Sequence, residues 1–241
     1  MGKRIIARKR GRGTTTYRSH SFRHKTAVKH RMYDSIEKTS VIKGEVVDLI
    51  NCKGHSAPIA KVKYPGGNYA HIFAPNHIKV TDMVESGINA KPNLGNTLPL
   101  RNIPEGTLIY NIESIPGDGG KFCRSAGTFS RIIASRGSFV IVQLPSKKQK
   151  KLNVNCRATV GIIAGAGRLD KPLVKAGKVH HIMRAKGKLY PRTSGVAMNS
   201  VDHPFGSGRG RKHTKMKPCS QHDPPGRKVG PVRSRRMGKR K

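Results

Sequence analysis

Positive charge is so concentrated at the two ends of this 241-residue chain that neither end has the apolar content to build a core of its own. Residues 1–33 carry 11 Lys and Arg and no acid, residues 34–170 carry 18 against 10 acids, and residues 171–241 carry 20 against 2. A fold driven by burial of apolar surface is therefore expected only in the middle, with long basic extensions on either side. The formal net charge of +37 would repel itself in a free chain, so the sequence presupposes a dense polyanion that screens it, and backbone phosphate is the natural one.

The middle is modest in apolar content. Hydrophobic residues make up 35% of the chain and Trp is absent, while 27 Gly and 15 Pro favour short strands joined by tight turns over long helices. No apolar run approaches the roughly 20 residues that span a bilayer, and the basic start Met1 to Arg12 has no apolar segment behind it, so the sequence predicts a soluble, unsecreted chain without a membrane partner. Cys52, Cys123, Cys156 and Cys219 are too far apart for a Cys-x-x-Cys pair and predict a reducing compartment.

Strand periodicity begins near Ile36. SVIKGEVVDLI, IAKVKY, YAHIF and HIKV, punctuated by Pro65-Gly66-Gly67-Asn68, predict four or five short strands over 36–85, the size of an OB-type barrel assigned to residues 36–95. After the polar stretch KPNLGNTLP, strands are predicted at 107–112, 129–134, 138–144 and around 158–163, with turns at 116–120 and 135–137. These form a second small barrel over 96–170, and the class is all-β. Lys147, Lys148, Lys150 and Lys151 are read as a hairpin turn facing phosphate. Regular structure is expected to fade in the C-terminal extension, residues 171–241, and to be absent from the N-terminal one, residues 1–35.

Within the extensions, cations are the candidate RNA contacts: Arg4, Arg8, Lys9, Arg10, Arg12, Arg18, Arg23, Lys25, Lys29 and Arg31 at one end, and Arg168, Lys171, Lys175, Arg209, Arg211, Lys212, Arg227, Lys228, Arg233, Arg235 and Arg236 at the other. Tyr17, His20, Phe22 and His24 supply rings that stack on bases. GIIAGAGR at 161–168 lacks the third glycine and the βαβ setting of a dinucleotide fingerprint, so its glycines predict close backbone approach instead. Cys219 and His222, with His213 upstream, have ligand-like spacing but do not complete a four-ligand zinc set, and no metal site is expected.

GVAMNSVDHPFGSGRG at 195–210 is the most specific segment. An Asp next to a His invites an acid–base reading, with Asp202 orienting His203. Adjacent residues need not aim their side chains at one another, and no Gly-x-Ser-x-Gly elbow is present, so a rigid loop whose His203 bonds to backbone or RNA is the favoured reading and no catalytic residue is assigned. The tails alone leave a DNA-binding, chromatin-like protein open.

With GKRIIARKRGRG, EGTLIYNIESIPGDGGK, AGAGRLDKPLVKAGK and GVAMNSVDHPFG, the chain resembles, over its whole length, the large ribosomal subunit protein two family in its archaeal and eukaryotic form. The resemblance implies an OB-type barrel followed by an SH3-like barrel, with extensions threaded into large-subunit rRNA. It also implies a structural role in the cytoplasmic ribosome, with tRNA, neighbouring ribosomal proteins and the small subunit nearby and no homo-oligomer. No cofactor is implied beyond Mg2+ or K+ of the rRNA environment. It brings the loop of Gly195, Met198, Asn199, Asp202, His203, Pro204 and Gly206 towards the peptidyl transferase region. Two positions depart from the family pattern: Ser200 stands where Pro is usual, and Ser207 where Gly is usual.

Overall fold

The computed structural model describes residues 2–9, 12, 14, 16–17, 23–208 and 218–233. The chain divides into two compact units, Ser21–Pro172, and Met1–His20 together with Leu173–Lys241.

The first unit is a β structure in two halves. Val41–Ile50 (β1) pairs antiparallel with both Ile59–Lys63 (β2) and Met83–Gly87 (β4), and β2 pairs with Tyr69–Phe73 (β3). Four strands between 36 and 87 match the expectation, with one correction. The HIKV segment is a turn: His77 takes φ 68, which a strand does not tolerate, and the Asp82 carboxylate accepts the Lys79 N–H at 2.9 Å, so the fourth strand starts only at Met83.

The second half consists of Thr97–Pro99 (β5), Leu108–Tyr110 (β6), Ser130–Arg136 (β7), Phe139–Gln143 (β8), Gln149–Asn153 (β9) and Arg157–Val160 (β10). β10 lies between β5 and β6, and β6 to β9 follow as a meander, all antiparallel. A single parallel pairing, Ser86 to Thr97, joins the halves into one sheet of order β3-β2-β1-β4-β5-β10-β6-β7-β8-β9. Two elements correct the sequence reading. The stretch KPNLGNTLP contributes β5, because Leu98 is buried between partners. The lysine cluster splits, with Lys147 at φ 63 in the turn and Lys150 and Lys151 on β9, where Leu152 supplies the buried side chain.

Each half buries its own apolar set: Ile42, Val46, Val62, Tyr64, Ile72 and Val84 in the first, Leu98, Leu100, Ile109, Ile132, Val140, Val142 and Leu152 in the second. A third set, including Val28, Ile59, Phe73, Tyr110 and Ile163, draws on both halves, and the Tyr110 hydroxyl donates to the Phe73 carbonyl at 3.0 Å. Val28 belongs to the basic N-terminal stretch, so that stretch is packed into the β unit from about residue 27 onwards.

A buried ion cluster binds the same stretch. Arg157, 2% exposed, donates to the carboxylates of Glu37 (2.6 Å) and Glu113 (2.8 Å), both fully buried, and to the Arg31 carbonyl at 2.8 Å. Glu37 lies on the short helix Ser35–Thr39, capped by Asp34, whose side chain accepts the Glu37 N–H at 3.0 Å. Its carboxylate also accepts from the Ser86 hydroxyl at 2.6 Å. Burial pushes the Glu37 carboxyl up despite its arginine partners. At Glu113 burial acts the same way but the hydrogen bonds and charge of Arg157 outweigh it and hold the carboxyl below its usual value.

In the second unit, the C-terminal extension holds more regular structure than expected. Ala176–Ala185 is a helix, because AGKVHHIMRA contains no Pro and places Val179 and Met183 four residues apart on one half-buried stripe. Cys219 and Val232 form a short parallel bridge.

Candidate nucleic-acid interface

The loop at 195–207 closes on itself through backbone hydrogen bonds. Gly195–Ala197 makes one 3-10 turn, the Asn199 carbonyl accepts from the N–H groups of Asp202 (3.0 Å) and His203 (3.1 Å), and the Met198 carbonyl accepts from Ser207 N–H (3.0 Å). Its glycines are there for close approach. A Cβ on Gly195 would fall 2.3 Å from Cε1 of the His203 ring, and one on Gly206 would fall 2.2 Å from the Asn199 carbonyl oxygen, so any side chain at either position forces the loop open. The two departures from the family pattern meet in a single contact: the Ser200 N–H donates to Ser207 Oγ at 2.9 Å. A Pro at 200 has no such hydrogen and a Gly at 207 has no such oxygen. The bond also helps hold Ser207 at φ 55, a conformation a Gly would adopt freely.

His203 is fixed by this loop. Nδ1 accepts the Phe205 N–H at 3.0 Å, and the two rings meet edge to face with centroids 5.2 Å apart. Nδ1 is thereby occupied as an acceptor. Asp202 does something else: its carboxylate is 3.6 Å from Lys3 Nζ. Among the described residues no hydrogen bond joins the Asp202 carboxylate to the His203 ring, so the adjacency in sequence does not become a dyad in space.

The structure brings the N-terminal cations to this loop. The Lys3 N–H donates to the Val201 carbonyl at 2.8 Å, and a cavity of about 250 Å³ is lined by Arg4, Arg8, Ser200, His203, Pro204 and Gly226, among others. Arg8 packs over Gly226, where a Cβ would meet its Cδ at 2.7 Å. Arg4, Arg8, Lys9 and Arg12 are exposed in this unit, as are Lys175, Arg227, Lys228 and Arg233. Of these cations, Arg4 and Arg8, with Lys3, stand beside the loop, an arrangement suited to phosphate. Arg10, Arg18, Arg209, Arg211, Lys212, Arg235 and Arg236, with His20, Phe22 and His213, lie outside the described residues.

In the β unit, Lys25, Lys29, Arg168 and Lys171 are exposed, and Arg23 is half-buried. Arg31 serves the fold itself. Its guanidinium is 2.5 Å from the Asp34 carboxylate and 3.8 Å from that of Glu37, and the Asp34 hydrogen bond raises its already high affinity for the proton. Lys150 Nζ is 4.3 Å from the Phe122 ring centroid and Lys151 Nζ 4.9 Å from that of Phe139, which aligns cations and rings along β9. At GAG 165–167, close approach comes from across the chain: a Cβ on Gly127 would lie 2.5 Å from the Ala166 Cα.

Sequence reasoning missed the Cys52 environment. Burial pushes this thiol up, but the backbone N–H groups of Lys25, Gly54, His55 and Thr26 outweigh that and hold it below its usual value, with His55 Nδ1 at 3.2 Å. Only folding assembles those donors. Cys219 donates to the Pro231 carbonyl, and among the described residues no three or more His, Cys, Asp or Glu are gathered as a metal ion requires. Among the described residues, too, no helix is long and apolar enough to cross a membrane.

Residues 2–86 match the family model "Ribosomal Proteins L2, RNA binding N-terminal domain", and residues 93–223 match "Ribosomal Proteins L2, C-terminal domain". The boundary between the two falls beside the Ser86–Thr97 pairing that links the β halves. The chain is 51% identical over 241 residues to the large ribosomal subunit protein uL2 of Methanothermobacter thermautotrophicus and 50% identical over 240 residues to that of Methanococcus maripaludis, each alignment covering all of both chains. Charge segregation, the two β halves and the self-closed histidine loop thus occur together in a chain that belongs to the ribosomal protein L2 family.

Proposed function

We propose that this chain is a structural constituent of the large subunit of the cytoplasmic ribosome, where it binds rRNA and neutralises phosphate so that RNA helices approach one another. The observation that carries this reading is the end-to-end likeness to proteins named as large ribosomal subunit protein uL2, reinforced by the RNA-binding domain matched over residues 2–86. The physical support is the charge: two flanking segments whose excess of Lys and Arg suits a folded polyanion. The cations named in the two extensions, apart from Arg31, are its phosphate contacts. The 195–207 loop acts beside the peptidyl transferase region, near tRNA and the small-subunit interface, by positioning RNA and not by transferring protons. Its glycines favour close packing, and the Asp202 carboxylate lies beside Lys3. Mg2+ or K+ enters as part of the RNA environment, neighbouring ribosomal proteins are its protein partners, and the chain forms no homo-oligomer.

Copurification tests the reading. Tagged chain expressed in its own cells should sediment with large subunits and carry large-subunit rRNA, and nuclease-resistant genomic DNA in its place would overturn the assignment.

A further inference from the structure

A cavity of about 410 Å³ opens in the β unit between residues 27–34 and the β2–β3 hairpin, with Lys29, His30, Arg31, Tyr64, Tyr69 and His71 in its walls. Its size sits at the low end of the roughly 300–1,000 Å³ of small-ligand pockets, room for one nucleotide and too little for a stacked pair. Its surroundings combine two things a single nucleotide needs. The first is a flat surface: Tyr69 is 51% exposed, with Lys61 Nζ 4.5 Å from its ring centroid, and so has ring surface left for a second planar group. The second is uncompensated charge. Arg31 is neutralised by Asp34 and Glu37, but among the described residues Lys29 in the wall and Lys61 beside the Tyr69 ring have no carboxylate partner.

We propose that this cavity takes one unstacked nucleotide of the bound RNA, its base laid on the Tyr69 ring and its phosphate held by Lys29 and Lys61. The proposal rests on the reading of the chain as an rRNA-binding protein. A base already out of the stack is what an aromatic wall beside cations selects.

The test is base-specific footprinting with dimethyl sulfate and a carbodiimide, which together report all four bases, of large-subunit rRNA bound to the full chain, alongside binding curves. Wild-type protein should protect one nucleotide that Tyr69→Ala and Tyr69→Leu both leave reactive, with affinity lowered about 5- to 100-fold, the cost of one base–aromatic stack. Tyr69→Phe, which keeps the flat ring, should retain protection and affinity. Thermal unfolding midpoints of the variants, expected within a few degrees of wild type at so exposed a position, check that the fold persists, and Tyr69→Leu retains apolar bulk if Ala does not. Unchanged protection and affinity with Tyr69→Leu would overturn the proposal while leaving RNA binding intact. Loss of protection with Tyr69→Phe equal to that with Leu would also overturn it. If the wild-type chain protects no rRNA at all, the underlying reading fails and the proposal with it.

Discussion

At the scale of residues, stability and function fall on different side chains. Arg157 holds two buried carboxylates and the backbone of residue 31 at once. Removing it leaves both acids without their strongest partner, so Arg157→Ala is expected to cost roughly 3–5 kcal/mol in urea unfolding, and a loss under about 1 kcal/mol would show that solvent reaches the cluster. His30 gives the fold a pH dependence of determinate sign. Its folded pKa, about 4, lies below the 6.5 of an unfolded histidine, so its contribution is complete above pH 6.5 and is lost as pH falls from 6.5 towards 4. The two and a half units correspond to about 3 kcal/mol at most. Glu113, Asp34 and Asp118, all held below their usual values, add losses as pH falls further, whereas the raised Glu37 acts in the opposite sense. His30→Gln should therefore flatten the stability curve between pH 6.5 and 4, and an unchanged slope there would assign it to other groups. His203 is expected to matter for placement. In assembled subunits His203→Gln should leave single-turnover peptide transfer within about threefold, whereas a general acid or base would cost about 10² or more. Subunit assembly should suffer with His203→Ala, whose side chain abandons the contacts with Gly195 and Phe205.

At the scale of elements, the β strands and the one longer helix stand on different footings. The strands bury apolar side chains on both halves of the sheet, but the helix Ala176–Ala185 has no buried residue, no side-chain cap at its start and a Gly at its second position. A helix this short is marginal in water without tertiary support, since nucleation is costly and isolated helices need roughly 12–15 residues. Its amides are therefore expected to exchange with deuterium within seconds in the free chain and to slow at least tenfold on binding rRNA. Strong protection in the free chain would mean that the helix carries its own stability. Strand positions were legible in the sequence wherever alternation reached the core, as at IAKVK and FVIVQ. They were missed where the strand was short or lysine-rich. β5 is three residues long, and β9 buries one side chain, so neither leaves a periodic signal.

At the scale of the whole molecule, charge and core are sorted along the chain. The β unit buries the apolar residues, and the basic segments gather in the other unit. Binding to large-subunit rRNA should accordingly fall steeply with salt: about ten phosphate contacts give a slope of log K against log salt on the order of −7 to −9. Deleting residues 2–20 should flatten that slope by several units, and an unchanged slope would remove the N-terminal cations from the interface. In the absence of RNA, trypsin should leave a fragment spanning about residues 21–172, because its strands are paired and its lysines sit on a folded surface.

Composition and pattern alone determined the all-β class, the kind of partner and the loop at 195–207, because charge segregation, alternation and a specific motif are written in consecutive residues. Tertiary structure decided what depends on residues far apart in the chain. The Arg157 cluster joins positions 31, 37, 113 and 157, and nothing local marks those acids as buried. Asp202 and His203 are neighbours in sequence, yet the carboxylate lies beside Lys3 and the imidazole is held by Phe205, because side-chain direction is set by how the loop folds back on itself. The basic stretch around Val28, read as an extension, becomes core because burying one valine and one neutral histidine there completes contacts that both β halves supply only after they have folded.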